Sequence, residues 1–379
     1  MRVPAPLTLA AASLRPDNNF NLIRLLAAWA VIYGHSHALA VWGGVDLAIR
    51  LTNFKFSGGI AVDVFFVISG FLIAASMERN SPRGFLVARA LRIFPALLVC
   101  VSLSAFVLGP LLTTTHDYWR HTEVWHYFIA NAGLSENTAY FLPGVFRNLN
   151  FESVNGSLWS LPIEVRLYVA IAAIGVLALN RKERFNLLFV IAMAIGFLLV
   201  SPRSMPEVES QAYYCVAFFF AGAFAWINRD AIPLSWPLLF AVMIFAAALL
   251  STNRFFVGYF LVVSYGTLFL AYVPRLPVIR HHDFSYGLYL YGWPSQQLVQ
   301  TFAPTSGPIG NTIGGTLLAA AFAVASWFLV EAPAMRLKSR FRIRPRAGSD
   351  DASTLALVAA EAHAVPTESV DTEHGRNAS

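Results

Sequence analysis

The sequence predicts an all-α integral membrane protein with about ten transmembrane helices and both termini in the cytoplasm. Hydrophobic residues make up 57% of the 379 residues and charged residues only 13%, whereas a soluble domain carries about 25% charged residues. A water-soluble fold of this length could not cover so much apolar surface. Only helices and closed barrels satisfy their backbone in lipid. Because the apolar runs are about 20 residues long rather than short and alternating, we expect helices.

The apolar runs that are predicted to cross the bilayer are joined in pairs by short connections. They are Leu22–Trp42, Ser57–Met77, Ile93–Leu112, Leu158–Leu179, Phe185–Val200, Gln211–Ile227, Ile232–Leu250, Phe255–Val273, Phe284–Phe302 and Ile309–Val330. An even number of spans returns the chain to the side on which it started, so both termini are expected on one side.

The basic residues predict which side that is. When the N-terminus is placed in the cytoplasm, the Lys and Arg residues outside the spans divide 19 to 6 in favour of the cytoplasmic side. Loops that stay in the cytoplasm carry the excess of positive charge, and an odd number of spans would destroy this division. We therefore attribute the net charge of +6 to cytoplasmic loops and expect no nucleic-acid partner.

The predicted domain organisation is simple. Residues 1–17 form a cytoplasmic N-terminal segment, and residues 18–336 form the transmembrane domain. Within it, residues 113–157 form a long outer loop, whose middle, Trp125–Leu134, is expected to be a short interfacial helix. Residues 337–379 are a basic cytoplasmic segment followed by a disordered tail, because the end of the chain is rich in Ala, Ser, Thr and Glu and has no aromatic residue.

The first predicted span carries two ionisable residues, Arg24 and His35, and such residues inside a bilayer are candidates for function. Their spacing brings the two side chains to one face of a helix, with Cα atoms about 16 Å apart along the axis. Arg24 then lies near the cytoplasmic edge and His35 beyond the midplane, where a histidine can serve as a general base. A snorkelling arginine and a hydrogen-bonding histidine would explain the spacing equally well. His37 falls on nearly the opposite face and is expected at the interface.

Two further spans contain carboxylates near the outer side. Asp63 lies about two turns from the outer surface, and we expect it to pair with a His or Arg of a neighbouring helix. Glu164 shares a helix face with Ser160 and Tyr168, and its partner is not evident from the sequence. The glycines of the Asp63 span are expected to permit close helix packing; they are Gly58, Gly59 and Gly70.

Arg89 and Arg92 precede the third predicted span with the spacing i, i+3, which places both guanidinium groups on one helix face. Such a pair suits phosphate groups, although ordinary anchoring by positive charge on the cytoplasmic side explains it as well. No helix carries His and carboxylate residues at metal-ligand spacing, so no metal site is predicted.

Six segments, in order, resemble the motifs of the acyltransferase 3 family, bacterial membrane O-acyltransferases that modify surface and secreted sugars. They are Arg24-x10-His35, Val62–Ile73, Arg89-x-x-Arg92, Trp159–Glu164, Ser285–Pro294 and Val330–Pro333. The resemblance extends over residues 18–336. The chain departs from it at Asn21, where many relatives have Asp, and at Gly292, where many have a second His.

The resemblance implies a cytoplasmic acyl-CoA donor, most simply acetyl-CoA as a co-substrate, no permanently bound cofactor, a carbohydrate hydroxyl as acceptor and a place in the bacterial inner membrane. His35 is then the expected catalytic residue, with Asp63 or Glu164 orienting the imidazole and stabilising its charge. Arg24, Arg89 and Arg92 are expected to bind acyl-CoA. Further residues of the motifs are expected to bind the acceptor or to be structural; they are Ser69, Trp159, Ser160, Tyr168, Tyr289 and Glu331.

Several alternatives remain open at the level of sequence. His35 could deprotonate the sugar hydroxyl, or it could first become acylated and carry the group outward. Buried ionisable residues also suit a proton-coupled transporter or a polysaccharide flippase, although the chain shows no inverted repeat. A non-catalytic membrane subunit is a third possibility, because Gly292 replaces the second histidine.

The predicted topology can be tested with reporter fusions at residue 340. Alkaline phosphatase fused there should be inactive and green fluorescent protein should fluoresce, because the 19-to-6 division of basic residues retains this end in the cytoplasm. An active phosphatase at residue 340 would contradict the topology with an even number of spans.

Overall fold

The computed structural model describes residues 7–177, 181–199, 207–280 and 282–338, and these residues are almost entirely helical. Within these ranges no strand forms, and Thr8 and Pro233 make an isolated β-bridge. The helices are α1 Leu9–Ser13, α2 Phe20–Leu39, α3 Leu47–Thr52, α4 Ser57–Arg79, α5 Pro82–Leu103, α6 Gly109–Leu112, α7 Thr122–Ala132, α8 Ser160–Val176, α9 Lys182–Leu199, α10 Glu207–Ile227, α11 Trp236–Leu249, α12 Phe255–Tyr272, α13 Ser285–Phe302, α14 Pro308–Ser326 and α15 Ala332–Arg336. The predicted all-α class is confirmed. The predicted disordered tail lies outside the described residues.

Five helical stretches among the described residues are long and apolar enough to cross a membrane, so the chain has the character of a multi-pass membrane protein. They are Ser57–Arg79, Pro82–Leu112, Gly156–Val176, Phe255–Tyr272 and Pro308–Arg336. Every other predicted span also overlaps a helix. Helix α11 is apolar but short, and α2 and α13 carry Arg, His and Gln residues that lower their hydropathy. The number of spans and the side of the termini stay predictions.

The third predicted span begins earlier than the sequence indicated. Helix α5 starts at Pro82, where the Ser81 side chain accepts a hydrogen bond from the Gly84 amide, and serine before a first-turn proline favours a helix start. A π-helical turn, Ser104–Leu108, then joins α5 to α6. Arg89 and Arg92 therefore lie inside the helix rather than ahead of it, where their charges need partners or water.

Helix α4 packs against α2, α8, α10 and α12, and glycines allow the closest of these contacts. A Cβ added at Gly70 would lie 1.8 Å from the Phe219 carbonyl oxygen of α10, and one at Gly222 would lie 2.1 Å from the Val67 oxygen. A Cβ at Gly34 would lie 2.6 Å from the Gly58 nitrogen. The expected role of Gly70 in close packing is confirmed, and the Gly34 contact brings His35 beside the start of α4.

The long loop 113–157 contains α7, close to the position predicted for a short helix. Its last part is fastened to the ends of two helices. Asn150 donates to the Ala40 carbonyl oxygen at 2.9 Å, Trp293 of α13 donates to the Ser153 oxygen at 2.9 Å, and Gln297 donates to the same oxygen at 2.8 Å. The loop therefore lies across the end of the helix bundle to which His35 belongs. We call this end the loop end.

Candidate functional site

At the opposite end of α2, four charged residues form an ion-pair cluster, here called the Arg cluster: Arg24, Arg92, Asp283 and Glu331. Asp283 Oδ2 lies 2.9 Å from Arg24 Nη1 and 2.6 Å from Arg92 Nη2. Arg92 Nη1 also lies 3.3 Å from Glu331 Oε2. The cluster joins α2, α5, α13 and the end of α14, so its two positive and two negative charges are balanced across four parts of the fold. This end of the bundle is called the arginine end below.

Asp283 is the centre of the Arg cluster, and sequence reasoning missed it. Its Oδ1 accepts hydrogen bonds from the Ser285 amide and hydroxyl, so both carboxylate oxygens are used. Burial by itself would raise the pKa of Asp283, but the Arg24 and Arg92 guanidinium groups hold that pKa at about 2. The carboxylate is therefore ionised at physiological pH. Asp283 precedes the Ser285–Pro294 motif, and this proximity was the available signal.

Beside the Arg cluster opens a cavity of about 300 Å³, here called the basic cavity. The cationic residues in its wall are Arg24, Arg89, Arg92, Arg280 and Lys338. Asp17 and Asp283 also line it, and Asp17 binds Arg280 at 2.9 Å. The remaining wall is largely apolar, including Phe20, Leu72 and Trp327. All three arginines predicted to bind acyl-CoA thus lie together at one cavity.

A second, smaller cavity of about 100 Å³ continues from the first and is here called the polar chamber. Both cavities are lined by Arg24, Leu72, Arg89 and Arg92, so the two spaces adjoin at the arginines. Most hydroxyl and carboxylate groups of the chamber come from residues that the motifs had singled out, and Ser285 and Tyr286 add two further hydroxyls. The motif residues are Ser69, Ser160, Glu164, Tyr168 and Tyr289. The sequence motifs therefore converge on one buried space in the middle of the bundle.

Hydrogen bonds within the chamber link α4, α8 and α13. Glu164 Oε1 accepts from Ser69 Oγ at 3.0 Å and from the Tyr168 hydroxyl. The Ser160 and Tyr289 hydroxyls lie 2.7 Å apart. Glu164, whose partner was not evident from the sequence, is thus held by two neutral hydroxyls.

His35 lies outside both cavities, between two aromatic rings at the loop end. Its ring centroid is 4.7 Å from that of Trp293, edge to face, and 5.8 Å from that of Phe56. Nδ1 is buried and has no hydrogen-bond partner among the described residues. Tyr289, in the chamber wall, is one helical turn from Trp293 on α13. His35 therefore lies about one turn beyond the chamber.

The predicted partner of Asp63 was wrong. Both of its carboxylate oxygens accept from Lys55 Nζ, at 2.8 and 2.7 Å, and Tyr259 donates a further hydrogen bond. Lys55 precedes α4 and had been counted as an outer-loop charge, so the partner comes from the same segment and not from a His or Arg of another helix. Neither Asp63 nor Glu164 forms a hydrogen bond with the His35 ring. The expectation that one of these carboxylates orients the imidazole is therefore not met in this structure.

The remaining motif residues divide between the two ends of the bundle. Glu331 belongs to the Arg cluster and also accepts from Ser326 at 3.0 Å. Trp159 ends a short 3-10 turn ahead of α8 and lines neither of the two cavities. A Cβ at Gly292 would lie 2.9 Å from the Ile32 side chain, so α2 fills the space of the second histidine. Among the residues that the structure describes, no group of three His, Cys, Asp or Glu side chains could hold a metal ion.

The arrangement has three parts in series along the bundle. A cationic cavity suits a polyanionic molecule, and an adjoining narrow chamber offers hydroxyl groups. One turn further lies a histidine whose ring carries no ion pair. Together they provide a binding site for an anion at one end and a base or nucleophile towards the other.

Comparison with known proteins assigns this arrangement to a family. Residues 17–331 match the family description "Acyltransferase domain" of the acyltransferase 3 family. The chain is 31% identical over 304 residues to the O-acetyl transferase of Shigella phage Sf6, covering 76% of this chain and 86% of that protein. It is 29% identical over 367 residues to nodulation protein 10 of Rhizobium leguminosarum bv. viciae, covering 85% of this chain and 94% of that protein. No solved structure matches the chain.

A longer relative matches over part of its length. The O-acetyltransferase OatA of Staphylococcus aureus (strain MRSA252) is 25% identical over 352 residues, covering 80% of this chain and 57% of that protein. The family match extends over nearly all of the bundle, and two of these relatives are named as O-acetyl transferases. The chain therefore belongs to the acyltransferase 3 family, and it is an enzyme of the O-acetyltransferase class.

Proposed function

We propose that the enzyme takes an acetyl group from cytoplasmic acetyl-CoA at the arginine end and transfers it to a carbohydrate hydroxyl at the loop end, in the bacterial inner membrane. The observation that carries the proposal is that Arg24, Arg89 and Arg92 line both the basic cavity and the polar chamber, while His35 lies about one helical turn beyond the chamber. An enzyme of this class needs no transport cycle, so the transporter and flippase alternatives are not favoured.

Electrostatics support the donor end. Coenzyme A carries several phosphate charges on a long, thin arm that ends in the thioester. Arg24, Arg89 and Arg92 line both cavities. In our proposal these guanidinium groups meet the donor phosphates. The chamber is narrow, which suits the arm better than the nucleotide.

His35 is in our proposal the catalytic residue. Its nitrogen removes the proton from the acceptor hydroxyl, and the oxygen attacks the thioester carbonyl carbon. The carbon–sulfur bond then breaks, and the imidazolium returns the proton to the coenzyme A thiolate. In the alternative sequence the His35 nitrogen attacks the thioester carbonyl carbon, the carbon–sulfur bond breaks, and the coenzyme A thiolate takes the proton of the acetylated imidazolium. The acceptor hydroxyl then attacks the acetyl carbon, the carbon–nitrogen bond breaks, and the hydroxyl proton passes to the imidazole.

The His35 imidazole makes no ion pair with a described carboxylate, and its Nδ1 has no hydrogen-bond partner among the described residues. In our proposal the ring is therefore available to the acceptor hydroxyl. The hydroxyls of Ser69, Ser160 and Tyr289 line the chamber through which a thioester would pass on its way to His35.

Replacing His35 with Ala should abolish acetyl transfer, because Ala supplies no lone pair. General-base catalysis contributes about 10²–10⁴-fold in rate, so at most about 1% of the activity should remain. The measurement is transfer of labelled acetyl from acetyl-CoA to the surface-glycan fraction of the producing strain.

His37→Ala is the matched control, because His37 lies on the same helix and its ring donates one hydrogen bond, from Nδ1 to the Tyr33 carbonyl oxygen at 3.0 Å. It should retain most of the activity. A His35→Ala enzyme that kept more than about a tenth of wild-type transfer, at normal expression, would make His35 a structural residue.

Arg89→Ala should raise the KM for acetyl-CoA by about 10- to 100-fold, because a hydrogen bond to a charged group contributes about 1.5–3 kcal/mol. The KM for the acceptor should change little, since the donor phosphates alone meet this residue. Initial rates measured at varied donor and fixed acceptor concentrations give both values. Arg92→Ala should also weaken donor binding, with an added loss of stability because Glu331 loses the guanidinium that it binds and Asp283 retains only Arg24.

Arg83 offers the control, because it is exposed on the same helix and lines neither the basic cavity nor the polar chamber. Arg83→Ala should leave the donor KM unchanged. Equal donor KM values for the Arg89→Ala, Arg92→Ala and wild-type enzymes would reduce the pair to topology anchors.

A further inference from the structure

The orientation of His35 depends on ring contacts rather than on a hydrogen bond to Nδ1. A catalytic histidine is usually oriented by a carboxylate or carbonyl that binds its second ring nitrogen. Here Nδ1 is buried without such a partner, and the rings of Trp293 and Phe56 flank the imidazole. Trp293 is itself fixed, because its indole N–H donates to the Ser153 oxygen. The question is therefore what fixes Phe56.

Phe56 occupies the N-cap position of α4 but makes no capping hydrogen bond. N-cap positions favour Ser, Thr, Asp or Asn, so an aromatic residue there serves another contact. The capping function falls to Asp46, whose Oδ1 accepts from the Ser57 amide and hydroxyl, each at 3.0 Å. The Phe56 ring is thereby free to turn back along α4 towards His35.

Two glycines make room for that ring. A Cβ at Gly34 would lie 2.8 Å from Phe56 Cδ2, and one at Gly58 would lie 2.5 Å from Phe56 Cε2. A Cβ at Gly59 would lie 2.7 Å from Lys55 Cε and 3.1 Å from Phe56 Cε1. Residues 55 and 56 therefore both fold back over the first turn of α4.

Lys55, the residue before Phe56, is held by a buried ion pair. Its ammonium binds both oxygens of Asp63 and lies 4.6 Å above the Tyr214 ring. The Lys55 side chain is 11% exposed and that of Asp63 is fully buried. Breaking an ion pair so far from water is strongly unfavourable, since either charge alone would be costly there.

We propose that the Lys55–Asp63 ion pair is a positioning device for the catalytic histidine. It fixes the backbone just before α4, so that Phe56 stays pressed against His35. Lys55, Asp63 and Phe56 are positioning residues in this account and do not touch the reacting atoms. The proposal rests on the proposed role of His35, and it gives the buried Asp63 a task that does not require contact with the imidazole.

Kinetics of the full-length enzyme in proteoliposomes test the proposal, with labelled acetyl-CoA and the surface-glycan fraction of the producing strain. A displacement of about 1 Å in a reacting group can cost about 10²-fold in rate. Lys55→Met and Phe56→Leu should each lower kcat by about 10-fold or more, with the KM for acetyl-CoA within about 2-fold of wild type. Lys55→Arg, which preserves the ion pair, should retain most of the wild-type kcat.

The double variant decides whether the two residues act through one another. Because Lys55 acts through Phe56, Lys55→Met combined with Phe56→Leu should be no slower than the slower single variant. Lys55→Met leaves Asp63 buried without its partner and is prone to misfold, whereas Phe56→Leu leaves the ion pair intact. Lys182→Met and Phe302→Leu, at exposed positions, are the controls and should match wild type.

Two results would overturn the proposal. In one, Phe56→Leu retains wild-type kcat. In the other, the losses of Lys55→Met and Phe56→Leu multiply in the double variant. Either result with an inactive His35→Ala enzyme would leave the proposed function intact, while full activity of His35→Ala would remove the catalytic role of His35 on which this proposal rests.

Discussion

Asp283 is the residue on which the arginine end depends. One carboxylate oxygen binds both Arg24 and Arg92, and the other accepts from Ser285. Two guanidinium groups brought this close would repel each other in a medium of low dielectric constant, and the carboxylate converts that repulsion into a link between α2, α5 and α13. Because Arg24 lies in the first two turns of α2, the helix that carries His35, the same ion pairs also tie that helix to α5 and α13. Removing the Asp283 charge would therefore disturb both the basic cavity and the alignment of α2.

The loop end follows a different physical rule. The His35 environment is built from close backbone contacts and aromatic rings, with Gly34 against Gly58 and the imidazole between Phe56 and Trp293. The Lys55–Asp63 ion pair lies beside this packing, because Lys55 precedes Phe56 in the chain. Charge at one end and apolar packing at the other are what the proposed function requires, a polyanionic donor and a neutral hydroxyl acceptor.

The sequence predicted best those features that depend on local periodicity. Apolar runs of bilayer length located the helices, and helical spacing brought Ser160, Glu164 and Tyr168 to one face, where two of them now meet in a hydrogen bond. Contacts between distant segments were out of reach. Arg92 and Glu331 are far apart in the chain, and Asp283 lies in the connection before α13. Lys55 lies ahead of α4 and reaches Asp63 by folding back over the glycines of the first turn of that helix. Hydropathy indicates which charged residues are buried but not which of them form an ion pair. The partner of Asp63 was misassigned for this reason.

The central claim is that donor and acceptor reach His35 from opposite ends of the bundle, and sealed membrane vesicles test it most directly. Acetyl-CoA does not cross a bilayer, so labelled acetyl-CoA can be supplied to one face only. Inverted vesicles, with the arginine end outward and the glycan fraction trapped inside, should transfer label to the glycan from acetyl-CoA added outside. Right-side-out vesicles with donor and glycan both outside should not. Equal labelling in both orientations, in vesicles shown to be sealed, would contradict the account.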